Sequence, residues 1–342
     1  MSRSSSVTPR FRPRRSTRTS VSPSCARCVG SRTRGPEALI RLASVGDPAH
    51  PPCVLVEAAH AKLNLSLAIT GRRADGFHEL VSLVVSVSLA DHLALHLGQP
   101  LGLTCDNPSL PVDGTNLVLQ AAAAYVRRRP GAVVGRFHLA KKIPHGAGLG
   151  GGSSDAAAAL RLLDRASGDP LGAEVLEALA AEVGSDCPFF VRSQAAIMRG
   201  RGERLEILPP AARAALAGRK VVLVKPPFGV PTPEAYALLA KAGKYRAAAP
   251  VEAELAAWIA RPLADPSPLG NDLAVPVFAK YLALPTGLAS FCLTTGTAWR
   301  MTGSGSACFS FVTDPFEHAR LREDVRRAWG AGSWVGEAVI SG

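Results

Sequence analysis

Apolar and polar residues alternate along much of the first half of the chain, and this alternation indicates β-strands. In residues 62–69 the alternation has a period of two, which places one set of side chains on each face of a strand. The polar face carries Lys62, Asn64 and Ser66. Two further alternating runs meet near the middle of residues 80–97. Together these runs predict an antiparallel sheet.

The later segments mix helical and strand periodicity. Helical spacing is found in residues 116–128, 156–166, 171–183, 233–242 and 251–259. Strands are predicted at residues 137–143, 189–198, 220–225 and 308–312. Residues 206–218 are rich in Pro and Ala and predict a linker. Because strands and helices mix without a strict βαβ period, the pattern favours an α+β protein in two lobes over a Rossmann sheet.

The length of 342 residues exceeds what one hydrophobic core usually serves, so we expect two domains, at residues 54–205 and 218–342. The Arg- and Ser-rich composition of residues 1–53 predicts a disordered extension. Ten Arg and two acidic residues give residues 1–50 a charge of +8, out of +12 for the whole chain. This segment is an organellar transit peptide, a nucleic-acid-binding arm or the product of a start codon placed too far upstream, and we favour the last.

Several classes of protein are excluded by what the chain lacks. No apolar stretch approaches the ~18 residues that a membrane span needs, and no secretory signal is recognisable, so we expect a soluble, non-secreted protein. The seven cysteines are scattered, and the only close pair, Cys25 and Cys28, has no second pair to complete a zinc site. We therefore expect reduced thiols, no disulfide framework and no structural metal.

A glycine-rich loop lies between a predicted strand and a predicted helix. Five glycines and two serines fall within nine residues, from Gly146 to Ser154. Such a loop presents free backbone N–H groups at the positive end of a helix dipole, which predicts a phosphate cradle. Ser153 or Ser154 would cap the helix and reach a phosphate oxygen or Mg²⁺. The spacing fits neither the P-loop motif nor a dinucleotide site, and the alternative is a flexible hinge.

Three segments resemble the motifs of one enzyme family, in that family's order. They are residues 61–80, with Arg72-Arg73-Ala74-Asp75-Gly76-Phe77-His78, the glycine loop at residues 144–155, and residues 301–309. The chain thereby resembles the 4-diphosphocytidyl-2-C-methyl-D-erythritol kinases, a family of the GHMP kinase superfamily. The glycine loop alone supports only the superfamily, whereas residues 72–78 select this family.

The resemblance implies a fold and a reaction. The fold is the α+β, two-lobed GHMP kinase fold, with a first lobe like ribosomal protein S5 and a ferredoxin-like second lobe. The reaction is transfer of the γ-phosphoryl group of ATP, with Mg²⁺, to a hydroxyl of 4-diphosphocytidyl-2-C-methyl-D-erythritol. The products are its 2-phosphate and ADP, in the non-mevalonate pathway to isoprenoid precursors.

Motif positions also imply the roles of single residues. Asp186, in the segment Gly184–Pro188, is the catalytic carboxylate and Lys62 is its partner. We prefer Asp186 to Asp155 as the base, because Asp155 would lie near the incoming triphosphate. Lys141 is either an ATP contact or a solvated strand-end lysine. The implied ATP-binding residues are Asn116, Lys141, Pro144, His145, Gly146, Ala147, Gly148, Leu149, Gly150, Gly151, Gly152, Ser153 and Ser154.

The acceptor site follows from the same resemblance. A cytosine ring is expected to stack between aromatic rings and to pair with a neutral His78. The family usually has Tyr where this chain has Phe77, which removes one hydroxyl. The implied substrate-binding residues are Asn64, Phe77, His78, Thr232, Tyr236, Gly303, Ser304 and Gly305. Asn271-Asp272 also resembles the family, and we expect a structural role for it.

Other interpretations stay open at this point. The chain would also suit another GHMP kinase that acts on homoserine, mevalonate or a sugar, or, on its basic start, a nucleic-acid-binding protein. We expect a small-molecule substrate, no membrane or nucleic-acid partner, and a monomer or weak homodimer. The expected location is the bacterial cytoplasm, or a plastid if residues 1–50 are a transit peptide.

Overall fold

The computed structural model of the chain describes residues 53–260, 270–312 and 317–342. All of them belong to one compact unit that spans residues 45–342. The prediction of a disordered extension at residues 1–53 falls almost wholly outside the described residues, as do Cys25 and Cys28. The cysteines within the described ranges are free thiols.

A long antiparallel hairpin is the backbone of the first sheet. Strand β1 spans Val54–Arg72 and β2 spans His78–Leu97, paired from Val54 opposite His96 to Arg72 opposite His78. The two predicted runs between residues 80 and 97 are therefore a single strand. Its first half pairs with one further strand and its second half with another, which is why its pattern changes in the middle.

Four shorter strands complete the first sheet, and helices cover it. The strands are β3 (Gly102–Cys105), β4 (Gly135–Ala140), β5 (Ala196–Gly200) and β6 (Arg204–Ile207). Their order is β3-β4-β2-β5-β6, and β1 pairs with β2. The helices are α1 (Leu117–Arg128), α2 (Gly151–Ala166), α3 (Ala173–Val183) and α4 (Cys187–Arg192).

The prediction of a strand over residues 189–198 is wrong in its first half. Residues 187–192 form helix α4, and the chain enters β5 only after Ser193, which has a left-handed φ of 53°. Phe189 and Phe190 are buried, with their rings edge to face at 5.1 Å. An aromatic and β-branched run favours a strand by propensity, but packing in this core selects a helix.

A second sheet follows in the chain, with strands β7 (Lys220–Lys225), β8 (Arg300–Met301), β9 (Cys308–Phe311) and β10 (Trp334–Val339). All pairs are antiparallel, in the order β10-β7-β9-β8. The same part of the chain contains the helices α5 (Pro210–Leu216), α6 (Thr232–Ala242), α7 (Ala248–Ala260), α8 (Ala274–Lys280), α9 (Ala283–Thr295) and α10 (His318–Trp329). Of these elements, the pattern did not predict α5, α8, α9, α10, β8 and β10.

The predicted linker at residues 206–218 is mostly ordered. It contains the end of β6 and helix α5, which buries Ala212 and Leu216. An alanine-rich segment of seven residues is too short to show a clear helical period, so its two buried positions were not recognisable. The domain boundaries at residues 205 and 218 stay a prediction.

The two sheets share contacts and core. Ser341, just past β10, donates its N–H to the carbonyl of Ser86 in β2 at 2.9 Å, and Val87 bridges Ile340. Each of the two apolar clusters of the core contains buried residues from both sheets. Within the described ranges, no single helix is long and apolar enough to cross a membrane, although the bent pair α8 and α9 together passes on length and composition.

Candidate active site

A cavity of about 350 Å³ lies where β1, the glycine loop and the turn after β8 meet. Most of the predicted site residues line it: Lys62, Asn64, Lys141, Pro144, His145, Gly146, Ala147, Gly148, Leu149, Gly150, Gly151, Gly152, Ser153, Asp186, Thr232, Tyr236, Gly303 and Ser304. Five predicted residues lie outside this lining, namely Phe77, His78, Asn116, Ser154 and Gly305. The volume falls within the range typical of small-molecule sites.

The glycine loop needs glycine for its backbone and for its contacts. Gly146, Gly148 and Gly150 have φ values of +64°, +75° and +72°. A Cβ on Gly148 would lie 2.6 Å from the carbonyl oxygen of Thr302, because the loop packs directly on the turn after β8. Glycine therefore allows both the left-handed turns and the close approach of two backbones.

Helix α2 begins at the end of this loop and points its N-terminus at the cavity. Its N-cap is Gly150, in the left-handed region, and no side chain caps the helix. The prediction that Ser153 or Ser154 caps α2 is therefore wrong. Both serines lie inside the first turn, where Ser153 lines the cavity and the Ser154 Oγ is buried. The uncapped N–H groups of this turn are the donors that a phosphate group needs.

Lys62 and Asp186 meet at the cavity wall. The Lys62 Nζ lies 3.5 Å from the Asp186 Oδ2, with the lysine side chain 6% exposed and the aspartate side chain 40% exposed. The Lys62 backbone N–H donates to the carbonyl of Leu149 in the glycine loop at 2.9 Å. Asp186 is the N-cap residue of α4 without a capping bond. The Asp186 carboxylate is thus open to the cavity, and the backbone of Lys62 is held by the glycine loop.

Asn64 shares the strand face of Lys62 and continues a chain of hydrogen bonds into the sheet. The Lys62 ammonium donates to the Asn64 Oδ1. The Asn64 Nδ2 donates to the Ser82 Oγ at 2.8 Å, and that hydroxyl donates to the Ser66 carbonyl at 2.6 Å. The Asn64 N–H donates to the Thr302 Oγ1 at 2.9 Å. The bonds of Asn64 to Ser82 and Thr302 thus fix the amide that accepts from the Lys62 ammonium.

Lys141 lines the cavity as a buried lysine that is paired with two carboxylates. Its ammonium lies between the carboxylates of Asp91 and Asp155, at 2.8 Å from the latter, and its side chain is 8% exposed. The Asp91 Oδ1 also accepts the backbone N–H groups of Lys142 and Ile143, the latter at 2.8 Å. The interpretation of Lys141 as a solvated lysine is wrong. The cluster of Asp91, Lys141 and Asp155 therefore joins the end of β4, before the glycine loop, to helix α2, which follows the loop.

The charges of this cluster shift one another's pKa values. Burial alone lowers the pKa of Lys141, but Asp155 and Asp91 outweigh it and raise that pKa. Burial raises the pKa of Asp155 to about 7, against the opposing charge of Lys141 and with a further increase from Asp91. Two carboxylates thus share one ammonium, and Asp155 carries the proton more readily than a solvated acid.

His78, the first residue of β2, lies among aromatic rings. Its ring centroid is 4.9 Å from that of Tyr236 and 5.9 Å from that of Tyr245, and the Tyr245 hydroxyl lies 3.4 Å from the His78 Nε2. Burial and then the charge of Arg72 lower the pKa of His78. Burial and then the charge of Asp186 raise the pKa of Tyr236. These shifts favour a neutral imidazole and a neutral phenol near neutral pH.

Phe77 precedes His78 in the chain and is exposed, whereas Thr232 lines the cavity. Phe77 is 47% exposed, with the Arg201 guanidinium 5.0 Å from its ring centroid. The Thr232 Oγ1 lies 3.0 Å from the Ser304 Oγ, which ties helix α6 to the turn after β8. The ring of Phe77 is therefore available on the surface for a planar group, covered in part by a cation.

Asn116 has a local role in the structure. It is the N-cap residue of α1, where its Oδ1 accepts the Val118 N–H at 3.0 Å and its Nδ2 donates to the Pro111 carbonyl at 2.7 Å. The neighbouring Leu117 lines the cavity instead.

Comparison with known proteins places the chain in a family. Residues 116–194 match the model of the GHMP kinases N terminal domain. A 4-diphosphocytidyl-2-C-methyl-D-erythritol kinase of Rhodopseudomonas palustris (strain BisA53) is 38% identical over 305 residues, which cover 84% of this chain and 98% of the relative. One of Azorhizobium caulinodans is 39% identical, covering 84% and 99%. The chain belongs to the 4-diphosphocytidyl-2-C-methyl-D-erythritol kinase family.

A solved member of this kinase family has the same fold. The crystal structure of a 4-(cytidine 5'-diphospho)-2C-methyl-D-erythritol kinase matches with a TM-score of 0.66 and 36% sequence identity, over 84% of this chain and all of that one. The resemblance found in the three motifs and the α+β GHMP kinase fold are therefore confirmed.

The structure adds residues to the kinase site that the sequence analysis missed. Tyr245 approaches His78, Ser82 supports Asn64, and Asp91 holds Lys141. Ser82 and Asp91 lie at polar positions inside otherwise apolar runs of β2, which was a recognisable signal. Tyr245 lies in a loop between helices, where no periodic pattern marks it.

Proposed function

We propose that this chain transfers the γ-phosphoryl group of ATP to a hydroxyl of 4-diphosphocytidyl-2-C-methyl-D-erythritol. The membership of the chain in this kinase family supports the reaction. The assignment of the catalytic residues rests on the 3.5 Å distance between the Lys62 Nζ and the Asp186 Oδ2 at the wall of the cavity beside the glycine loop. The product is the 2-phosphate, in the non-mevalonate pathway of isoprenoid precursor biosynthesis.

Asp186 acts as the general base in this proposal. An alkanol hydroxyl is too weak an acid to ionise alone at neutral pH, so a carboxylate within hydrogen-bond reach accepts its proton as the new P–O bond forms. Such a base contributes about 10²–10⁴-fold to the rate. The partial exposure of the Asp186 side chain leaves room for the acceptor hydroxyl beside it.

Positioning and charge supply the larger part of the acceleration. Lys62 orients the acceptor hydroxyl and offsets the charge that develops on the transferred group. The N–H groups of the glycine loop and of the first turn of α2 hold the phosphates of ATP. Because Lys62 is bonded to Asn64 by its side chain and to Leu149 by its backbone, its position is fixed before substrates arrive.

The residues present suit Mg²⁺ brought in with ATP. Mg²⁺ prefers oxygen ligands and often keeps few from the protein. In the described part of the chain, no group of three or more His, Cys, Asp or Glu residues is placed to hold a metal ion. The Ser153 hydroxyl lines the cavity, and the Ser154 Oγ and Asp155 Oδ1 are buried without hydrogen-bond partners in the described residues. When bound, the ion would neutralise charge on the phosphate oxygens.

The cytidine part of the acceptor is assigned to the side of His78. A neutral imidazole pairs with the polar edge of cytosine, and the rings of Phe77 and Tyr236 offer faces for stacking. The lowered pKa of His78 supports this assignment.

We further propose the bacterial cytoplasm as the location, a monomer or weak homodimer as the state, and no nucleic-acid partner. A plastid location would require residues 1–50 to be a transit peptide. Intact-mass measurement of the native protein decides whether those residues are retained.

A steady-state assay of ADP release with different acceptors tests the proposed function. With the cytidine conjugate and ATP, we expect turnover that saturates with the conjugate, whereas homoserine, mevalonate and galactose at equal concentrations give only the background rate. Equal or better turnover of one of these three would assign the chain to another small-molecule kinase. Mass spectrometry of the product then identifies the phosphorylated species.

A further inference from the structure

Asn271 is the first residue of the Asn271-Asp272 pair, for which the sequence predicts a structural role. Its Nδ2 donates to the carbonyl oxygens of Met301 at 2.9 Å and Gly303 at 2.7 Å. Its Oδ1 accepts the N–H of Leu273 at 3.0 Å. All hydrogen-bonding atoms of this amide are therefore occupied, and its two donors hold the end of β8 and the glycine turn that follows it.

The segment that carries Asn271 is fastened to strand β1. The Leu67 N–H donates to the carbonyl of Gly270 at 3.1 Å, and the Asp272 N–H donates to the carbonyl of Leu67 at 2.9 Å. The Asp272 Oδ2 accepts the N–H of Ile69 at 2.8 Å. Residues 270–272 thus lie beside β1 like an added short strand. They pair with β1 at Leu67, which is five residues beyond Lys62 in the chain.

The glycine turn that Asn271 holds lies against Lys62 and Asn64. A Cβ on Gly303 would be 3.3 Å from the Lys62 Nζ, 3.3 Å from the Asn64 Oδ1 and 3.1 Å from the Gly148 carbonyl oxygen. Gly303 has a φ of +58°, which only glycine adopts without strain. A small displacement of this turn therefore changes the space around the ammonium of Lys62.

We propose that Asn271 is a positioning residue for catalysis: it holds the Gly303 turn against Lys62 and Asn64 and thereby sets the position of the acceptor hydroxyl relative to Lys62 and Asp186. The proposal rests on the proposed function of that pair. Asn271 acts through the turn, because both its donors are bonded to backbone carbonyls.

Two substitutions at adjacent residues test this inference. Asn271→Asp keeps the size of the side chain but cannot donate to either carbonyl, so the turn is repelled. Asp272→Asn keeps an oxygen that accepts the Ile69 N–H and is the matched control. We expect kcat for the cytidine conjugate to fall by about 10–100-fold in Asn271→Asp, the cost of misplaced catalytic groups. In Asp272→Asn, kcat stays at the wild-type value.

The readout separates positioning from folding. The kcat is expressed per folded molecule at 25 °C, and the KM for ATP and the thermal midpoint are measured beside it. We expect kcat to fall while the KM for ATP stays near the wild-type value. Wild-type kcat per folded molecule with only a lower thermal midpoint would overturn the proposal and leave Asn271 a structural residue.

A second variant keeps the test valid if Asn271→Asp does not fold. Asn271→Ala removes both donors without adding charge, and the same loss of kcat is expected from it. If the wild-type protein itself does not turn over the conjugate, the proposed function fails. If the wild type is active and both Asn271 variants are equally active, only the positioning role fails.

Discussion

At the scale of single residues, the environment decides the role that a charged side chain takes. Lys141 precedes the glycine loop, where a cation suits phosphate binding, yet its ammonium is held between Asp91 and Asp155. In the sequence, Asp91 lies 50 positions before Lys141 and Asp155 lies 14 positions after it, so no local pattern reveals their contact. By contrast, the alternation of β1 correctly predicted that Lys62 and Asn64 share a face, because a strand has a fixed period.

The raised pKa of Asp155 makes stability depend on pH. Native Asp155 keeps its proton up to about pH 7, whereas in the unfolded chain it is released near pH 4. The native state thus binds more protons in this window, and the contribution of Asp155 to stability falls as pH rises through it. Asp155→Asn lacks this contribution, so the stability of the variant relative to the wild type should increase by about 1.4 kcal/mol per pH unit.

Urea unfolding of both proteins at pH 5, 6, 7 and 8 measures this difference. We expect the difference to increase up to about pH 7 and then level off, because the native carboxyl is ionised above its raised pKa. A difference that is constant from pH 5 to pH 7 would show that the native pKa of Asp155 is ordinary.

At the scale of elements, the order of strand, glycine loop and helix around the cavity was predictable from the sequence. The errors lie where packing overrides local preference. Helix α4 replaces the first half of a predicted strand because Phe189 and Phe190 pack in the core. Helix α9 has 13 residues but includes Pro285 and Gly287, which weaken a helical prediction. Gly287 lies so close to Trp329 that a Cβ would be 2.5 Å from its indole nitrogen, a contact invisible in the pattern.

Alanine substitutions at two glycines of the glycine loop should change the stability of the protein by different amounts. Gly148→Ala introduces a Cβ at a φ of +75° and 2.6 Å from the Thr302 carbonyl oxygen. We expect it to lower the free energy of unfolding by about 2–4 kcal/mol, from backbone strain and overpacking. Gly152→Ala is the control, because position 152 is helical and the Cβ would meet Leu117 at an ordinary 3.5 Å.

Denaturant unfolding of the two variants provides the comparison. Gly152→Ala should be as stable as the wild type or more stable by up to about 1 kcal/mol, since alanine favours the helix. If both variants lose the same stability, the close packing of the loop on the turn after β8 is not what requires glycine at position 148.

At the scale of the whole molecule, the site is assembled from segments far apart in the chain. The Asn64 N–H bonds to Thr302, 238 residues away, and Thr232 contacts Ser304 across 72 residues. Periodicity predicts elements but not which of them meet, so this assembly was predictable only through the resemblance of the three motifs to a family. The resemblance did not indicate the bonds of Asn271, since they depend on how its segment lies beside β1.

The substitution Asp186→Asn most directly tests the central claim, that Asp186 is the general base. Asparagine is nearly isosteric but cannot accept the proton of the acceptor hydroxyl, so turnover of the cytidine conjugate should fall at least ~10²-fold. Affinity for ATP, measured by calorimetry on the same preparation, should remain that of the wild type, because the proposed phosphate contacts are N–H groups of the glycine loop and not Asp186. Turnover equal to that of the wild type, with ATP bound as tightly, would contradict the assignment of Asp186 as the base.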